Sequence, residues 1–327
     1  MRVTLGFDTS CYTTSAAAVD EHGAVVAAER MLLPVREGQR GLRQSEAVFA
    51  HVRQMPQVMD KLAESLNQSG GKIAAVCASA SPRDENDSYM PVFAVGLGHA
   101  KVVAGALGVP LFETTHQQGH IVAGQIGNPR MDERFVALHL SGGTTELLDC
   151  QGDRLSIIGG SADLHAGQLV DRVGVAMGLP FPAGPALEAL AMGYGGQAQA
   201  LLPVSMEQGD LLCHLSGVET RAQQLLRTGE LCNGQIAAEV FDVLARTVAR
   251  LLAAGCRKTG ARQALVVGGV ASSALLRSWL NSRLQKQRAH IRVIFGQPEF
   301  SADNAAGVAV IGMRRLLQLE NPINEGG

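Results

Sequence analysis

The segment HQQGH begins with His116 and ends with His120, so its two histidines are four residues apart. Residues at this spacing lie on one face of a helix, so both imidazole rings can bind a single metal ion. The pair fits the metal site of a hydrolase, a metal site of another kind, or a polar patch on a helix. A metallopeptidase of the H-E-x-x-H type is disfavoured, because it needs a glutamate as general base where Gln117 stands, and an amide does not take up a proton.

Three turns rich in glycine or hydroxyl side chains each follow an apolar strand. They are TSCYTT at 9–14, SGGTT at 141–145 and GGV at 268–270. Backbone N–H groups approach an anion closely only where side chains are small, and a helix N-terminus adds a favourable dipole. One such turn alone is more often structural. The ordered set predicts a two-lobed nucleotide-binding fold in which one hairpin turn per lobe grips the phosphates.

The elements that position these residues follow from hydrophobic periodicity. The pattern predicts strands at 3–8, 15–20, 24–30, 73–80 and 111–115, helices at 44–67 and 93–108, and a new helix that begins with the two histidines. The segment 135–150 then repeats the strand, hydroxyl-rich turn and second strand of 3–20, which favours a duplicated fold. The predicted elements that follow are a strand–turn–helix segment at 263–280, a strand at 291–296 and an amphipathic helix at 302–319 with Asp303 and Asn304 at its N-terminus.

Composition excludes several classes of protein. The 327 residues include 38 glycines, too many for a helical bundle, and the net charge of −2 gives no global basic field for nucleic acid. The six cysteines are scattered without a C-x-x-C pair, and the chain enters a strand directly with no signal peptide, so we expect reduced thiols in a cytoplasmic protein. No apolar run approaches the length that spans a bilayer, so no membrane association is expected.

Five segments, in order, resemble the TsaD-type tRNA threonylcarbamoyladenosine synthases, once called O-sialoglycoprotein endopeptidases or peptidase M22. They are ETTHQQGH, LHLSGGTTEL, LVDRVGVAMGLPFPAGPALEALA, LVVGGVASSALLR and PEFSADNAAGVAV. The resemblance covers roughly residues 3–315. It implies an α/β, two-lobed fold of the actin/Hsp70/sugar-kinase (ASKHA) type with a duplicated βββαβαβα core. The expected lobes are 1–112, completed by the helix 303–319, and 113–302.

The resemblance also implies an activity and its partners. In this family a metal ion, iron or zinc, helps to hold threonylcarbamoyl-adenylate, and the threonylcarbamoyl group passes to N6 of the adenosine beside the anticodon of tRNA. An ATP- or AMP-type nucleotide is therefore an expected ligand. A TsaB-like paralogue, which pairs through the N-terminal lobe, and a TsaE-like ATPase are expected partners. The helix 44–67 is the candidate contact for the paralogue, and the basic segment 280–292 is a candidate contact for tRNA phosphates.

Matched position by position, the resemblance assigns site residues. His116, His120 and Asp303 match the metal ligands, and Asp8 and Ser10 are the catalytic candidates in the first turn. The candidates for nucleotide or substrate binding are Ser141, Gly142, Gly143, Thr144, Asp171, Gly184, Gly268, Gly269 and Ser273.

The sequence also departs from the family pattern. Tyr12-Thr13 replaces an acidic pair associated with the transfer chemistry, Thr144 replaces a histidine and Ser273 replaces an asparagine. In addition, Gln168 of this chain replaces a glutamate of the family pattern, Glu219 replaces a lysine, and the polar segment 79–91 replaces a Gly-Pro-Gly loop. Three hypotheses therefore stay open. The chain is a threonylcarbamoyl transferase, a divergent paralogue that binds metal and nucleotide as a partner or regulator after losing or altering the transfer, or a carbamoyl transferase with another acceptor.

Overall fold

The computed structural model describes residues 1–10, 12–34, 42–84, 88–195, 197–206, 209–286 and 290–321. Contacts between Cα atoms divide the chain into two compact units. Unit 1 comprises Met1–Gly127 and Ala302–Gly327, and unit 2 comprises Asn128–Ser301. Within the described ranges, every helix is too short or too polar to cross a lipid bilayer.

Unit 1 is built on a five-stranded sheet with the strand order β3-β2-β1-β4-β5. Its elements are β1 (Arg2–Thr9), β2 (Thr13–Asp20), β3 (Val25–Leu32), α1 (Gln44–Ser69), β4 (Lys72–Ser81), α2 (Phe93–Leu107), β5 (Leu111–Thr115), α3 (His116–Ala123) and, from the end of the chain, α9 (Ala306–Glu320). The first three strands are antiparallel, and β4 and β5 continue the sheet in parallel with β1. Residues 113–127, which were expected in the second lobe, lie in unit 1, where β5 completes the sheet and α3 packs against α9.

The alternation of side chains along β1 decides which residues face the candidate site. Val3, Leu5 and Phe7 join the apolar core that α1 and α2 cover. The alternate residues face α9, which packs closely because Gly6 has no side chain: a Cβ there would lie 2.5 Å from the backbone nitrogen of Ala309. Asp8 continues this second face at the carboxyl end of the strand, where its side chain is almost fully buried.

The C-terminal helix begins later than the sequence predicts. Helical hydrogen bonding starts at Ala306, where the side-chain oxygen of Asn304 accepts a hydrogen bond from the Ala306 N–H at 3.0 Å. Asp303 therefore lies in the irregular segment just before α9, not in its first turn. This placement leaves the Asp303 carboxylate able to turn towards α3.

Unit 2 repeats the topology of unit 1 with one strand added. Its elements are β6 (Arg134–Leu140), β7 (Thr145–Gln151), β8 (Arg154–Ser161), α4 (Ala166–Ala176), α5 (Gly184–Tyr194), β9 (Leu212–Cys213), α6 (Ser216–Thr228), α7 (Asn233–Thr259), β10 (Gln263–Val267), α8 (Ala274–Lys286) and β11 (Arg292–Phe295). The strand order is β11-β10-β6-β7-β8-β9, with β6, β7 and β8 antiparallel and β10 and β11 parallel to β6. The duplicated core predicted from the sequence is confirmed by this order.

Candidate functional site

The first histidine of the opening motif, His116, is the first residue of α3. Thr115 caps the helix: its side chain accepts a hydrogen bond from the Gln118 N–H at 3.1 Å, and the Gln118 side chain accepts one in return from the Thr115 N–H. This capping box fixes the start of the helix at His116, directly after β5. His120 follows one turn later on the same helical face, as its spacing predicts.

His116, His120 and Asp303 converge on one point in unit 1. The two Nε2 atoms are 3.1 Å apart, and Oδ1 of Asp303 lies 3.2 Å from His120 Nε2 and 3.8 Å from His116 Nε2. A point about 2 Å from all three atoms exists in a triangle of these dimensions, which matches metal–nitrogen and metal–oxygen distances of about 2.0–2.2 Å for zinc. Lone pairs that converge in this way repel each other unless a proton or a cation lies between them. The donor set therefore fits a metal ion such as zinc or iron.

Asp8 holds the outer side of the His116 ring. Both of its carboxylate oxygens lie 3.0 Å from Nδ1 of His116, so Nδ1 carries a hydrogen and donates it. Burial lowers the pKa of His116, but the charge of Asp8, its hydrogen bond and the charge of Asp303 outweigh burial and raise the pKa to about 9. The two carboxylates thus favour positive charge at this position. A carboxylate behind a ligating imidazole is a usual feature of metal sites.

Ser10 holds Asp303 in the same manner. Its hydroxyl donates to Oδ2 of Asp303 at 2.5 Å, which leaves Oδ1 directed at the histidines. Burial disfavours the charged carboxylate, yet hydrogen bonds from His120 and Ser10 and the positive charge of the two histidines hold the pKa of Asp303 far below its usual range. Both catalytic candidates from the sequence, Asp8 and Ser10, therefore bond to candidate metal ligands.

In unit 2, the turn between β6 and β7 contains the predicted Ser141, Gly142, Gly143 and Thr144. The Ser141 N–H donates to the Thr144 carbonyl at 2.8 Å, which closes the turn. A Cβ on either glycine would meet nothing within 4 Å, so contacts within the protein do not require these glycines. Bare backbone beside open space is what a phosphate-binding turn needs.

The second glycine turn lies beside the first. Gly268 has φ +101°, and a Cβ there would lie 2.3 Å from the carbonyl oxygen of Leu140, the residue just before Ser141. Only glycine fits this left-handed conformation and close approach. Gly269 follows and is exposed, with nothing near its missing Cβ.

Helices α4, α5 and α8 connect the remaining predicted nucleotide residues. On α4, Asp171 accepts a hydrogen bond at 2.8 Å from the N–H of Ala183, the residue before Gly184, where α5 begins. One turn along α5, Oε1 of Glu188 accepts hydrogen bonds from the Ser273 hydroxyl at 2.9 Å and the Leu275 N–H at 2.8 Å. These hydrogen bonds join Asp171 to the residue before Gly184, and Ser273 to α5, within unit 2.

The sequence alone does not single out Glu188. Its local signal is its position four residues after Gly184, which places both residues on one face if the segment is helical. Its bond to Ser273 depends on the packing of α5 against the start of α8, which the sequence does not show.

Comparison with known proteins gives consistent results. A family model described as tRNA N6-adenosine threonylcarbamoyltransferase, TsaD, matches residues 35–310. A curated tRNA N6-adenosine threonylcarbamoyltransferase from Bordetella petrii is 30% identical over 324 residues, covering 96% of this chain and 91% of that protein.

Solved structures with little sequence similarity share the fold. HypF from T. kodakarensis superimposes with a TM-score of 0.62 at 13% identity, over 98% of this chain and 48% of that chain. The activator of 2-hydroxyisocaproyl-CoA dehydratase from Clostridium difficile gives 0.54 at 13% identity, over 99% of both chains. A ROK family glucokinase from Streptomyces griseus gives 0.53 at 14% identity, over 95% of this chain and 99% of that chain. The fold is therefore of the actin/Hsp70/sugar-kinase type, as predicted.

Proposed function

The chain belongs to the TsaD family of tRNA N6-adenosine threonylcarbamoyltransferases, and on that premise we propose that it transfers threonylcarbamoyl from threonylcarbamoyl-adenylate to N6 of the adenosine beside the anticodon of tRNA. In this reaction N6 forms a bond to the carbamoyl carbon, the bond from that carbon to the phosphate oxygen breaks, and AMP leaves while N6 loses a proton. The observation that carries the proposal is the convergence of His116, His120 and Asp303, with Asp8 and Ser10 holding two of them.

Each group of residues has a defined task in this proposal. His116, His120 and Asp303 would hold the metal ion, which when bound would supply Lewis-acid polarisation of the carbamoyl carbonyl. Asp8 and Ser10 act by fixing the orientation of His116 and Asp303, since each is already hydrogen-bonded to its ligand. In unit 2, the turns at 141–144 and 268–269, which are exposed at Gly142, Gly143 and Gly269, bind the phosphate through backbone N–H groups.

The direct test combines metal analysis with a transfer assay. The purified protein is expected to bind about one equivalent of zinc or iron, and His116→Ala and His120→Ala are expected to abolish binding. Incubation with threonylcarbamoyl-adenylate, unmodified tRNA and TsaB-like and TsaE-like partners from the same genome is expected to yield threonylcarbamoyladenosine. Equal metal content in wild type and His116→Ala contradicts the metal site.

A second candidate function is a binding paralogue without this transfer activity. It is favoured by the first turn, where Tyr12 and Thr13 stand in place of an acidic pair and Tyr12 is half exposed. Binding of metal and nucleotide by a protein that forms no modified adenosine with partners present supports this alternative. A carbamoyl product on another acceptor supports the third hypothesis.

For the TsaB-like paralogue, we propose the outer face of α1 as the contact. Phe49 and Val52, three residues apart on this helix, are 64% and 50% exposed. Exposed apolar side chains grouped on one surface are typical of a protein interface. Co-elution of the two proteins that is lost with Phe49→Glu supports this contact, and unchanged co-elution contradicts it.

A further inference from the structure

A buried histidine of α1 contacts the turn that carries Ser10. His51 is fully buried, and its Nε2 atom lies 2.8 Å from the backbone carbonyl oxygen of Ser10. The other ring nitrogen, Nδ1, lies 2.7 Å from the hydroxyl of Thr14 at the start of β2. The ring therefore joins α1 to both ends of the connection between β1 and β2.

The direction of the first bond is fixed by chemistry. A carbonyl oxygen only accepts hydrogen bonds, so Nε2 of His51 carries the hydrogen and donates it to Ser10. Burial disfavours the charged ring and lowers the pKa of His51. In the neutral ring that this favours, Nε2–H is the single N–H, and Nδ1 presents a lone pair to Thr14. The Thr14 hydroxyl lies equally close, at 2.7 Å, to Oε1 of Gln54 one turn further along α1. Its one hydrogen is thus shared between two acceptors, and the bond to Ser10 is the firmer one.

Ser10 connects His51 to the candidate metal site. Its hydroxyl donates to Oδ2 of Asp303 at 2.5 Å, while its own N–H donates to the Thr13 carbonyl at 3.1 Å. The Thr13 N–H lies 3.2 Å from the Ser10 hydroxyl oxygen. With the carbonyl held by His51 and the N–H held by Thr13, the Ser10 backbone is fixed on both sides, and its hydroxyl is aimed at Asp303.

Packing alone does not account for a histidine at this position. The neighbouring buried side chains of α1, Met55, Val58 and Leu62, are apolar, and a residue of that kind would fill the same volume. Burying an imidazole costs free energy unless its polar atoms are bonded. The polar ring is therefore explained by the bond that it makes to Ser10.

We propose that His51 is a positioning residue of the metal centre, which sets Asp303 in place through Ser10. This inference rests on the metal site of the proposed function. Loss of a group bonded directly to a metal ligand, as Ser10 is to Asp303, typically weakens metal binding about 10- to 100-fold. His51 acts through Ser10, so the effect of its loss is expected at the lower end of this range. We therefore expect an effect on metal affinity that is separable from any effect on folding.

Two substitutions of His51 distinguish the contribution of Nε2 from that of Nδ1. The amide nitrogen of glutamine reaches about as far as Nε2, whereas that of asparagine reaches only to Nδ1. His51→Gln therefore retains a donor for Ser10, and His51→Asn does not. His99→Asn is the matched control, because His99 lies on α2 in the same unit and bonds to Val95 of its own helix.

The experiment titrates each metal-free protein with Co²⁺, follows its visible absorption, and records thermal unfolding without metal. His51→Asn is expected to bind Co²⁺ at least about tenfold more weakly, with an altered spectrum, while His51→Gln stays within about threefold of wild type. His99→Asn is expected to bind like wild type. A purely structural role predicts instead that His51→Gln and His51→Asn lose affinity together, in step with their melting temperatures.

Wild-type affinity in His51→Asn, or equal losses in His51→Asn and His51→Gln, overturns the inference while leaving the metal site intact. If wild type itself binds no Co²⁺, the metal site of the proposed function fails, and this inference fails with it. Should His51→Asn not fold, Ser10→Ala carries the test, since it removes the hydroxyl that His51 positions. Undiminished binding of Co²⁺ by Ser10→Ala then overturns the inference.

Discussion

A Cβ on Gly307 of α9 would lie 1.9 Å from the carbonyl oxygen of Gly119 on α3. The two helices approach this closely only because both positions lack side chains, and the approach brings the segment before α9 to the histidines of α3. The methyl group of Gly307→Ala would clash with the backbone of Gly119, so one helix has to move. We therefore expect this substitution to lower the free energy of unfolding by about 1–3 kcal/mol or more. Urea unfolding measures this change, and metal titration is expected to show weaker binding as well.

Gly98→Ala is the matched control for this substitution. Gly98 also lies inside a helix, α2, but a Cβ there would meet nothing within 4 Å. Because glycine is unfavourable in a helix interior, this variant is expected to gain about 0.5–1 kcal/mol and to bind metal like wild type. Equal stability of Gly307→Ala and wild type would contradict the close packing of α3 and α9.

Asp163 makes unit 2 sensitive to acid. Its carboxylate accepts hydrogen bonds from the Leu215 N–H at 2.8 Å and the Ser216 hydroxyl at 2.5 Å, so it holds the start of α6. Burial opposes ionisation, but these bonds and one from the Leu164 N–H lower the pKa of Asp163 to about 2. A carboxyl group whose pKa is lowered by folding stabilises the protein fully at pH values above its unfolded pKa of about 3.9. This stabilisation is lost as the pH falls from there through the folded pKa of about 2.

Asp163→Asn is therefore expected to be less stable than wild type at pH 7, with a difference that shrinks between about pH 4 and pH 2. Urea unfolding at pH 7, 4 and 3 measures this difference. Asp60→Asn, at an exposed position of α1, is the matched control. A difference that stays constant or grows towards low pH would refute this role of the carboxylate.

Local signals in the sequence predict much of the candidate site. The start of α3 is visible as the T-x-x-Q pattern from Thr115 to Gln118, and the spacing of His116 and His120 predicts their common face. The glycine turns after strands also form where the sequence predicts them. Each of these features depends on residues within a few positions of one another.

Features that depend on tertiary contacts were not predictable in the same way. The pairing of Asp8 with His116 joins residues 108 positions apart, and it follows from the face of β1 that α9 covers. On α1, the apolar pattern predicts Val52 in the buried stripe, but Val52 is 50% exposed and His51 is fully buried. Further along α1, Met55, Val58, Leu62 and Leu66 are buried as the apolar spacing predicts. The departure is therefore confined to the start of the helix, where a bonded polar ring takes a buried position that hydrophobicity alone does not reveal.

Glu188 is expected to support both the start of α8 and nucleotide binding. Its carboxylate accepts hydrogen bonds from Ser273 and Leu275, which it holds beside the turn at 268–269. Glu188→Ala removes this cap and is expected to cost about 1–2 kcal/mol of unfolding free energy. The affinity for ATP or AMP, measured by calorimetry, is expected to fall as the turn loosens. Glu64→Ala, on the exposed face of α1, is the control, and nucleotide affinity equal to wild type in Glu188→Ala contradicts the role.

Asp8 is expected to tune the metal site without binding the metal itself. In Asp8→Ala, His116 loses the acceptor that fixes its ring and keeps the hydrogen on Nδ1, so zinc affinity is expected to fall about 10- to 100-fold. Asp8→Asn keeps an acceptor oxygen but loses the charge, so its zinc affinity is expected to lie between those of wild type and Asp8→Ala. Competition with a chelator measures all three proteins.

The control for Asp8 is Asp20→Asn at the end of β2, where the carboxylate accepts hydrogen bonds from the N–H groups of its own turn, at His22 and Ala24. This variant is expected to lose some stability and to keep its zinc affinity. If the Asp8 carboxylate supports the ligand His116, its charge and its hydrogen bond each contribute to zinc affinity. Zinc affinity is therefore expected to fall in the order wild type, Asp8→Asn, Asp8→Ala. If Asp8→Ala binds zinc as tightly as wild type, the orientation of His116 does not depend on Asp8. If Asp8→Ala loses zinc entirely, as the ligand variants are expected to do, Asp8 is itself a ligand.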